Sequence, residues 1–507
     1  MLMNMLSLEE KKEIGYQFVR ELLDPVTPYG VKRLREEGFY SLDRKFELER
    51  ELENVALLKK ALTSDSTYVM DLRQKMSSLK DLSGTFSRCL GGFILTEVEL
   101  FELSSFCVRI NELISYVQRL QKYGDSASIQ FTDMKKPLEI LQPESKNGIS
   151  FFIEDSRTSA LYEARTCKHA IERQIRMEND GNISELLKRR QEAAAAEEKA
   201  LSEIFADLST ALCPFIPIFR KNADAAGRLD AALAKAILAE RYGCVCPVIG
   251  GKEIVLQDAV HPQVAAALKE DNRPFSPVTI SMPKGVTVLT GANMGGKSVA
   301  LRTVVLNTAL ALSGCFVFCR AAKIPLFTRI DLISRDLSDM ELGLSSFGAE
   351  IVRFNDAAQQ ITEEGFSLIA MDEFSRGTNA GEGSAIVRAA VKYLSGKNAI
   401  TLLATHYDSA AEFAVKHFQV KGLRKEDEPV CEEEKMTMNN KEPETSGERP
   451  TGKPGRDHAL WRLRRISDAM DYGLIEVPPG TECPRDAVRI CRMLGLPKEM
   501  LNEILKK

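Results

Sequence analysis

Nine residues, Thr290-Gly291-Ala292-Asn293-Met294-Gly295-Gly296-Lys297-Ser298, constrain this 507-residue chain more than any other stretch. They fit G-x-x-x-x-G-K-[ST], a turn whose backbone N–H groups point inward at phosphate oxygens. The lysine adds a point charge near the terminal phosphates, the serine hydroxyl is a Mg²⁺ ligand, and the following helix offers its positive end. Four fixed positions match by accident in about one chain in fifty of this length. The flanks lower that figure. Val286-Thr287-Val288-Leu289 is a β-branched run before the loop, and Val299 to Leu312 after it is apolar and helix-compatible, as a strand–loop–helix unit requires. The stretch predicts a nucleoside triphosphate site.

Downstream, Ser367-Leu368-Ile369-Ala370-Met371 reads as a buried parallel strand that ends in Asp372-Glu373. A carboxylate at the C-terminal end of such a strand lies on the ligand edge of the sheet. Asp372 is therefore the candidate Mg²⁺ carboxylate beside Ser298, and Glu373 the candidate base that orients and deprotonates an attacking water. A third strand, Ala399 to Ala404, ends in Thr405-His406, where an imidazole can hydrogen-bond a terminal phosphate. Lys297, Glu373 and His406 form the expected catalytic set.

Taken together, TGANMGGKS, MDEFSRGTNAGEG and LLATHYD resemble the ATPase domain of the MutS family, the ABC-related ATPases of mismatch repair. Ala259-Val260-His261-Pro262, Pro274-Phe275, Phe327-Thr328-Arg329-Ile330, Ser345-Ser346-Phe347 with Glu350, and the stretch from Asp486 to Pro497 are similar to further family segments in the same order. The resemblance implies ATP with Mg²⁺, and a homodimer that sandwiches two ATP molecules in composite sites. Residue by residue it gives Gly291, Ala292, Asn293, Met294, Gly295, Gly296, Lys297 and Ser298 to the phosphate loop. Phe275 becomes the aromatic on adenine, and Ser345 and Ser346 the loop that reaches the partner subunit's nucleotide. Arg376-Gly377-Thr378 becomes the subunit-contact turn. Ala292 departs from the family's usual proline, which removes no donor, since proline has none.

The N-terminal half is of another kind. From Leu8 to about Leu120 apolar residues such as Leu34, Phe39, Leu42, Phe46, Leu48, Leu52 and Leu58 recur near helical spacing, with charges between them. Pro25 to Gly30 is a break between helices, and a polar-faced helix is expected from Ile183 to Leu208. TPYGVKRLRE and DLSGTFSRCLGGFILTEVELFEL are similar to the helical core and lever domain of MutS proteins. The expected architecture is a mostly α-helical core and lever domain (1–239) followed by an α/β P-loop ATPase domain (240–420 and 459–507). Between its two parts, residues 421–458 are rich in Glu, Lys, Pro, Gly and Ser, and are expected to be a disordered insertion.

Composition is that of an ordinary soluble protein: 44% hydrophobic, 28% charged, formal net charge −4. No run of eighteen apolar residues appears, and MLMNMLSLEEKKEIG lacks a secretory apolar core, which reads as cytoplasmic with no membrane segment. The eleven cysteines show neither a disulfide framework nor zinc spacing, so Cys244, Cys246, Cys315 and Cys319 read as buried thiols.

The resemblance also exposes gaps. The mismatch-reading domain of the family is expected to be absent, and Phe152-Ile153-Glu154 reads as the chance match expected among 23 phenylalanines. The DNA-gripping clamp between the lever helices is expected to be missing or cut to a few residues around Met177 to Ile183, and a nuclease domain after the ATPase is not expected. Two client classes stay open. One is DNA, held by a nucleotide-driven switch. The other is a protein, because the short architecture and Met470-Asp471-Tyr472-Gly473-Leu474 also look like the ATPase subunit that reactivates a cobalamin-dependent lysine 5,6-aminomutase.

Overall fold

A computed structural model describes residues 5–124, 129–142, 153–177, 183–291, 296–334, 346–424, 470–482 and 486–505. Phe152, Trp461 and all but the first four residues of the expected insertion lie outside them. The chain forms two compact units: residues 24–37 with 53–237, and residues 1–23 with 38–52 and 238–507.

The helices of the first half are α1 (Leu8–Glu13), α2 (Tyr16–Glu21), α3 (Pro28–Glu36), α4 (Lys45–Ser64), α5 (Ser66–Met76) and α6 (Ser83–Leu90). They continue with α7 (Glu97–Leu120), α8 (Lys135–Leu141), α9 (Ser159–Met177), α10 (Ile183–Leu212) and α11 (Ile216–Tyr242). The expected break at residues 25–30 is shorter than the sequence suggests. Pro28 is the first residue of α3, capped by the Thr27 side chain on the Gly30 N–H, because proline at that position gives up a donor the helix would leave unpaired anyway.

The helical unit is organised around Asp230, which is 1% exposed. Its carboxylate accepts from the Val26 N–H, from the Thr27 N–H at 2.7 Å and from the Thr27 hydroxyl at 2.7 Å. Burial pushes its pKa up, and those hydrogen bonds oppose the push. Two glycines let α3 approach α11 closely. A Cβ on Gly30 would stand 2.1 Å from Asp230 Oδ2, and one on Gly227 would stand 2.9 Å from the Tyr29 carbonyl. Around this junction Tyr29, Phe86, Phe106 and Phe219 pack ring on ring, and Lys235 is ion-paired with Glu37 in full burial.

α9 and α10 form an antiparallel hairpin laced by charges. Arg165 and Lys168 reach Glu197, and further along Glu172 reaches Arg190. The helical run 183–242 is, by length and composition alone, apolar enough to cross a membrane. Ser209 accepts from the Leu95 N–H, and Phe219 stacks on Phe106, while the turn Cys213–Phe215 interrupts the run.

The second unit carries two sheets. Its strands are β1 (Val248–Ile249), β2 (Glu253–Ala259), β3 (Val278–Pro283), β4 (Gly285–Thr290), β5 (Ala321–Ile324), β6 (Arg329–Ile333), β7 (Ser367–Asp372), β8 (Ala399–Ala404), β9 (Lys416–Leu423) and β10 (Met470–Val477). Its later helices are α12 (Pro262–Glu270), α13 (Lys297–Leu312), α14 (Ser346–Gln359), α15 (Ala380–Ser395), α16 (Asp486–Met493) and α17 (Lys498–Leu505). The small sheet has the order β1-β5-β2-β3, and the large one β10-β9-β4-β8-β7-β6. In the large sheet β9, β4, β8, β7 and β6 run parallel, and β10 closes one edge antiparallel to β9. β4, β7 and β8 are buried at every position, which is why they read as continuous apolar runs rather than alternating ones.

Residues 1–23 and 38–52 belong with this unit because their apolar side chains, among them Leu6, Ile14, Val19, Phe39 and Leu48, are buried. The Tyr40 N–H also donates to the Leu312 carbonyl at the end of α13. Leu42 and Phe46 do not follow the apolar pattern read for them: they are 53% and 68% exposed, and the Arg50 guanidinium lies over the Phe46 ring. Cys244, Cys315 and Cys319 are buried, whereas Cys246 is exposed. His261 caps α12 and is 2% exposed. Burial is the main cause that lowers its pKa to about 4.

Two outcomes are expected. Gly30→Ala drives a methyl into Asp230, and should lower stability by about 2–4 kcal/mol in urea unfolding, whereas Gly84→Ala, in open space, should change it by under about 1 kcal/mol. For His261 the folded-state pKa lies below the ordinary value. Its contribution is therefore present above about pH 6.5 and is lost as pH falls towards about 4, a span worth about 3 kcal/mol. His261→Asn, which keeps a cap, should flatten the stability of this unit over that window.

Candidate functional site

β8 lies between β4 and β7, and backbone hydrogen bonds level the three C-terminal ends. The Thr405 N–H donates to the Leu289 carbonyl at 3.0 Å, and the Glu373 N–H to the Ala404 carbonyl at 2.8 Å. Residues leaving these strands therefore share one edge of the sheet. They are Thr290-Gly291 from β4, Asp372-Glu373 from β7 and Thr405-His406 from β8.

Gly291 (φ +140) and Gly296 (φ +85) hold conformations that suit glycine. Gly296 precedes α13, whose first turn has no side-chain cap, so its amide donors are not taken by a capping residue. A Cβ on Gly296 would stand 3.0 Å from the Tyr472 ring: this aromatic from β10 packs directly on the turn. Lys297 is 4% exposed, and its ammonium donates to the Gly291 carbonyl at 2.6 Å, drawing the two ends of the loop together.

The Ser298 hydroxyl donates to Asp372 Oδ1 at 3.0 Å. Adjacent oxygen ligands of octahedral Mg²⁺, each at about 2.1 Å, stand about 3.0 Å apart, so this hydroxyl–carboxylate pair fits that ion in chemistry and spacing. Asp372 is 9% exposed. Burial pushes its pKa up, while the Ser298 hydrogen bond and the charges of Arg302 and Lys297 act the other way.

Glu373 follows in a left-handed conformation (φ +52), and Ser375 in another (φ +67). Each costs about 1 kcal/mol or more for a residue with a Cβ. Ser375 is fully buried, and its N–H donates to Glu350 Oε2 at 2.9 Å, so α14 props the turn from below. Glu373 is ion-paired with Arg376. His406 stands exposed after β8, its ring tilted against that of Tyr407 with centroids 4.2 Å apart. Partial desolvation lowers its pKa, and the Glu373 charge opposes that.

The structure thus brings Gly291, Gly296, Lys297, Ser298, Asp372, Glu373 and His406 to one edge. Ala292, Asn293, Met294, Gly295 and Ser345 lie outside the described residues, and Ser346 is described only as the first backbone position of α14. Phe275 is half-buried in the segment before β3. Sequence reasoning passed over Arg302, Tyr472 and the role of Glu350. Of these, only Arg302 left a signal, lying four residues beyond Ser298 on the same helical face.

Comparison with known proteins agrees with this geometry. Residues 287–449 match the family model MutS domain V. The chain is similar to the DNA mismatch repair protein MutS of Haloquadratum walsbyi, 34% identical over 227 residues, which is 44% of this chain and 24% of that protein. It is similar to MutS of Leuconostoc mesenteroides, 25% identical over 389 residues (74% of this chain, 44% of that protein). It is also similar to endonuclease MutS2 of Acetivibrio thermocellus, 28% identical over 311 residues (61% and 36%). The chain spans less than half the length of each of these relatives.

Gly296→Ala adds both a strained φ and a contact with Tyr472, while Gly480→Ala adds the strained φ (+82) in open space. The first is expected to lower the melting temperature more than the second, by a further few degrees for about 1–2 kcal/mol, as scanning calorimetry would read.

Proposed function

This chain belongs to the MutS family of ATPases, and from that premise we propose that it binds and hydrolyses ATP as a nucleotide-driven dimeric switch. The observation that carries the reading is the Ser298–Asp372 pair at 3.0 Å beside buried Lys297. It supports a P-loop ATPase fold for the sheet of β4, β8 and β7.

In this reading the turn from Gly291 to Ser298 cradles the phosphates with its amides. Lys297 turns from the Gly291 carbonyl towards the terminal phosphates. Ser298 and Asp372 hold Mg²⁺, which when bound offsets charge on the phosphate oxygens. Glu373 takes the proton of the attacking water, and to do so must part from Arg376. His406, exposed beside it, donates to a terminal phosphate oxygen. Phe275 stacks on adenine, and Ser345 and Ser346 complete the site of a second copy, so the unit of activity is a homodimer.

The client is read as nucleic acid by kinship. The lever helices α9 and α10 are joined by only residues 178–182, which leaves no room for a clamp of the family kind at their tip, so the grip is expected to be by surface charge. The protein-client reading rests on the short architecture and on Met470 to Leu474; those residues begin β10, where the Tyr472 ring packs against Gly296, and the relatives lend that reading no support. The relatives named above bear mismatch-repair and endonuclease names.

Lys297→Ala is expected to lower ATP affinity at least about 100-fold. Glu373→Ala should keep ATP bound with turnover reduced at least about 100-fold; wild-type turnover in that variant would remove Glu373 from the mechanism. Mixing Ser346→Ala with Glu373→Ala protein should restore part of the activity if sites are shared between subunits. Steady-state hydrolysis with homoduplex, mismatched and branched DNA at two salt concentrations identifies the client: stimulation that fades steeply with salt supports nucleic acid, and indifference to every DNA overturns it.

A further inference from the structure

We infer that Glu13, at the end of α1, is a positioning residue for the Mg²⁺ end of the site: it holds the Arg302 guanidinium and cancels its charge beside Asp372. The inference rests on the ATPase reading above and adds to it a residue about 280 positions from the phosphate loop in sequence.

Only 7% of the Glu13 side chain is exposed. Both carboxylate oxygens are engaged. Oε1 accepts from Arg302 Nη2 at 3.1 Å, and Oε2 from the Ser334 hydroxyl at 2.7 Å. A carboxylate removed from water is tolerated when its oxygens are occupied in this way. Ser334 follows β6, itself 5% exposed, so one side chain ties α13 to the end of a neighbouring strand.

The backbone at this point is shaped to deliver the carboxylate. The next residues, Ile14 and Gly15, turn the chain into α2, and Gly15 takes φ +75. A Cβ there would stand 2.6 Å from His261 Cε1, so the turn closes only with glycine against the buried imidazole. That ring is kept neutral by burial, and the Arg302 charge reinforces this. A neutral imidazole adds no second positive charge beside Arg302, and the Glu13 carboxylate supplies the balancing negative one.

Arg302 lies one helical turn beyond Ser298, and its charge reaches Asp372. An uncompensated guanidinium there does two things to a divalent ion held by Ser298 and Asp372. It repels the ion, and it competes for the carboxylate. Glu13 removes both effects while leaving Arg302 in place as a link between α1 and α13.

The test is the Mg²⁺ dependence of two readouts on the full chain, binding of a fluorescent non-hydrolysable ATP analogue and hydrolysis of ATP. Glu13→Gln is expected to raise the Mg²⁺ midpoint of both by about fivefold or more. Adding Arg302→Gln should bring it back to within about twofold of wild type, because the uncompensated cation is gone. Ser334→Ala, which keeps the charge and removes the other contact, should leave the midpoint unchanged. If Glu13→Gln does not fold, Glu13→Asp, with the same charge and a shorter reach, should give an intermediate shift. A midpoint unmoved in the folded Glu13 variant, or a shift that the second substitution does not reverse, overturns the inference and leaves the ATPase reading intact. A wild-type protein that neither binds the analogue nor hydrolyses ATP overturns both.

Discussion

β8 is hydrogen-bonded along both edges, to β4 and to β7, and this double pairing fixes where the candidate chemistry stands. Parallel strands have no side on which one end can drift without breaking its neighbour's ladder. Once Leu289, Ala404 and Asp372 are in register, the residues just beyond them have only one edge to occupy. The sheet can hold a buried lysine and a buried aspartate because that edge gives each a partner at once. The Gly291 carbonyl receives the first, and the Ser298 hydroxyl serves the second. Neither charge would be sustainable in the same core without those contacts.

Strain is concentrated where Asp372 gives way to the turn. Two residues with side chains, Glu373 and Ser375, hold positive φ within three positions, and the surroundings over-determine them. Glu350 takes the Ser375 amide from below, Arg376 takes the Glu373 carboxylate from the side, and the Ser375 carbonyl stands 2.9 Å from where Gly383 would carry a Cβ. The turn is thus stiff in its backbone and adjustable in one side-chain pair. That combination suits a carboxylate that must keep its place while changing its partner.

Much of this was legible in the sequence, because continuous apolar runs and a glycine-rich turn follow from local rules. β4, β7 and β8 begin and end within a residue or so of the runs that announced them. What local rules do not carry is partnership across long separations. Glu13 reads as one more acid on an amphipathic helix, and Tyr472 as part of a short stretch noted only for a resemblance. Their meaning comes from Arg302 and Gly296, which only the tertiary fold brings near. The opposite error occurred at Leu42 and Phe46, where periodicity implied burial and the side chains stand in solvent. A helical apolar stripe says which residues share a face, not whether anything covers it. The boundary at residue 239 likewise could not show that the first helices belong with the sheets.

The ring of Tyr472 against Gly296 makes the phosphate loop depend on chain that comes long after the rest of its sheet. β10 enters only after residues 425–469, yet it supplies the wall against which Gly296 packs. Integrity of the peptide backbone between the two is not what the wall requires. β10 is held by its antiparallel ladder to β9, so a protease cut within 425–469 would leave two fragments still joined through that ladder, with the ring in place. Ending translation before residue 470 would instead remove the wall while sparing every residue of the glycine-rich turn.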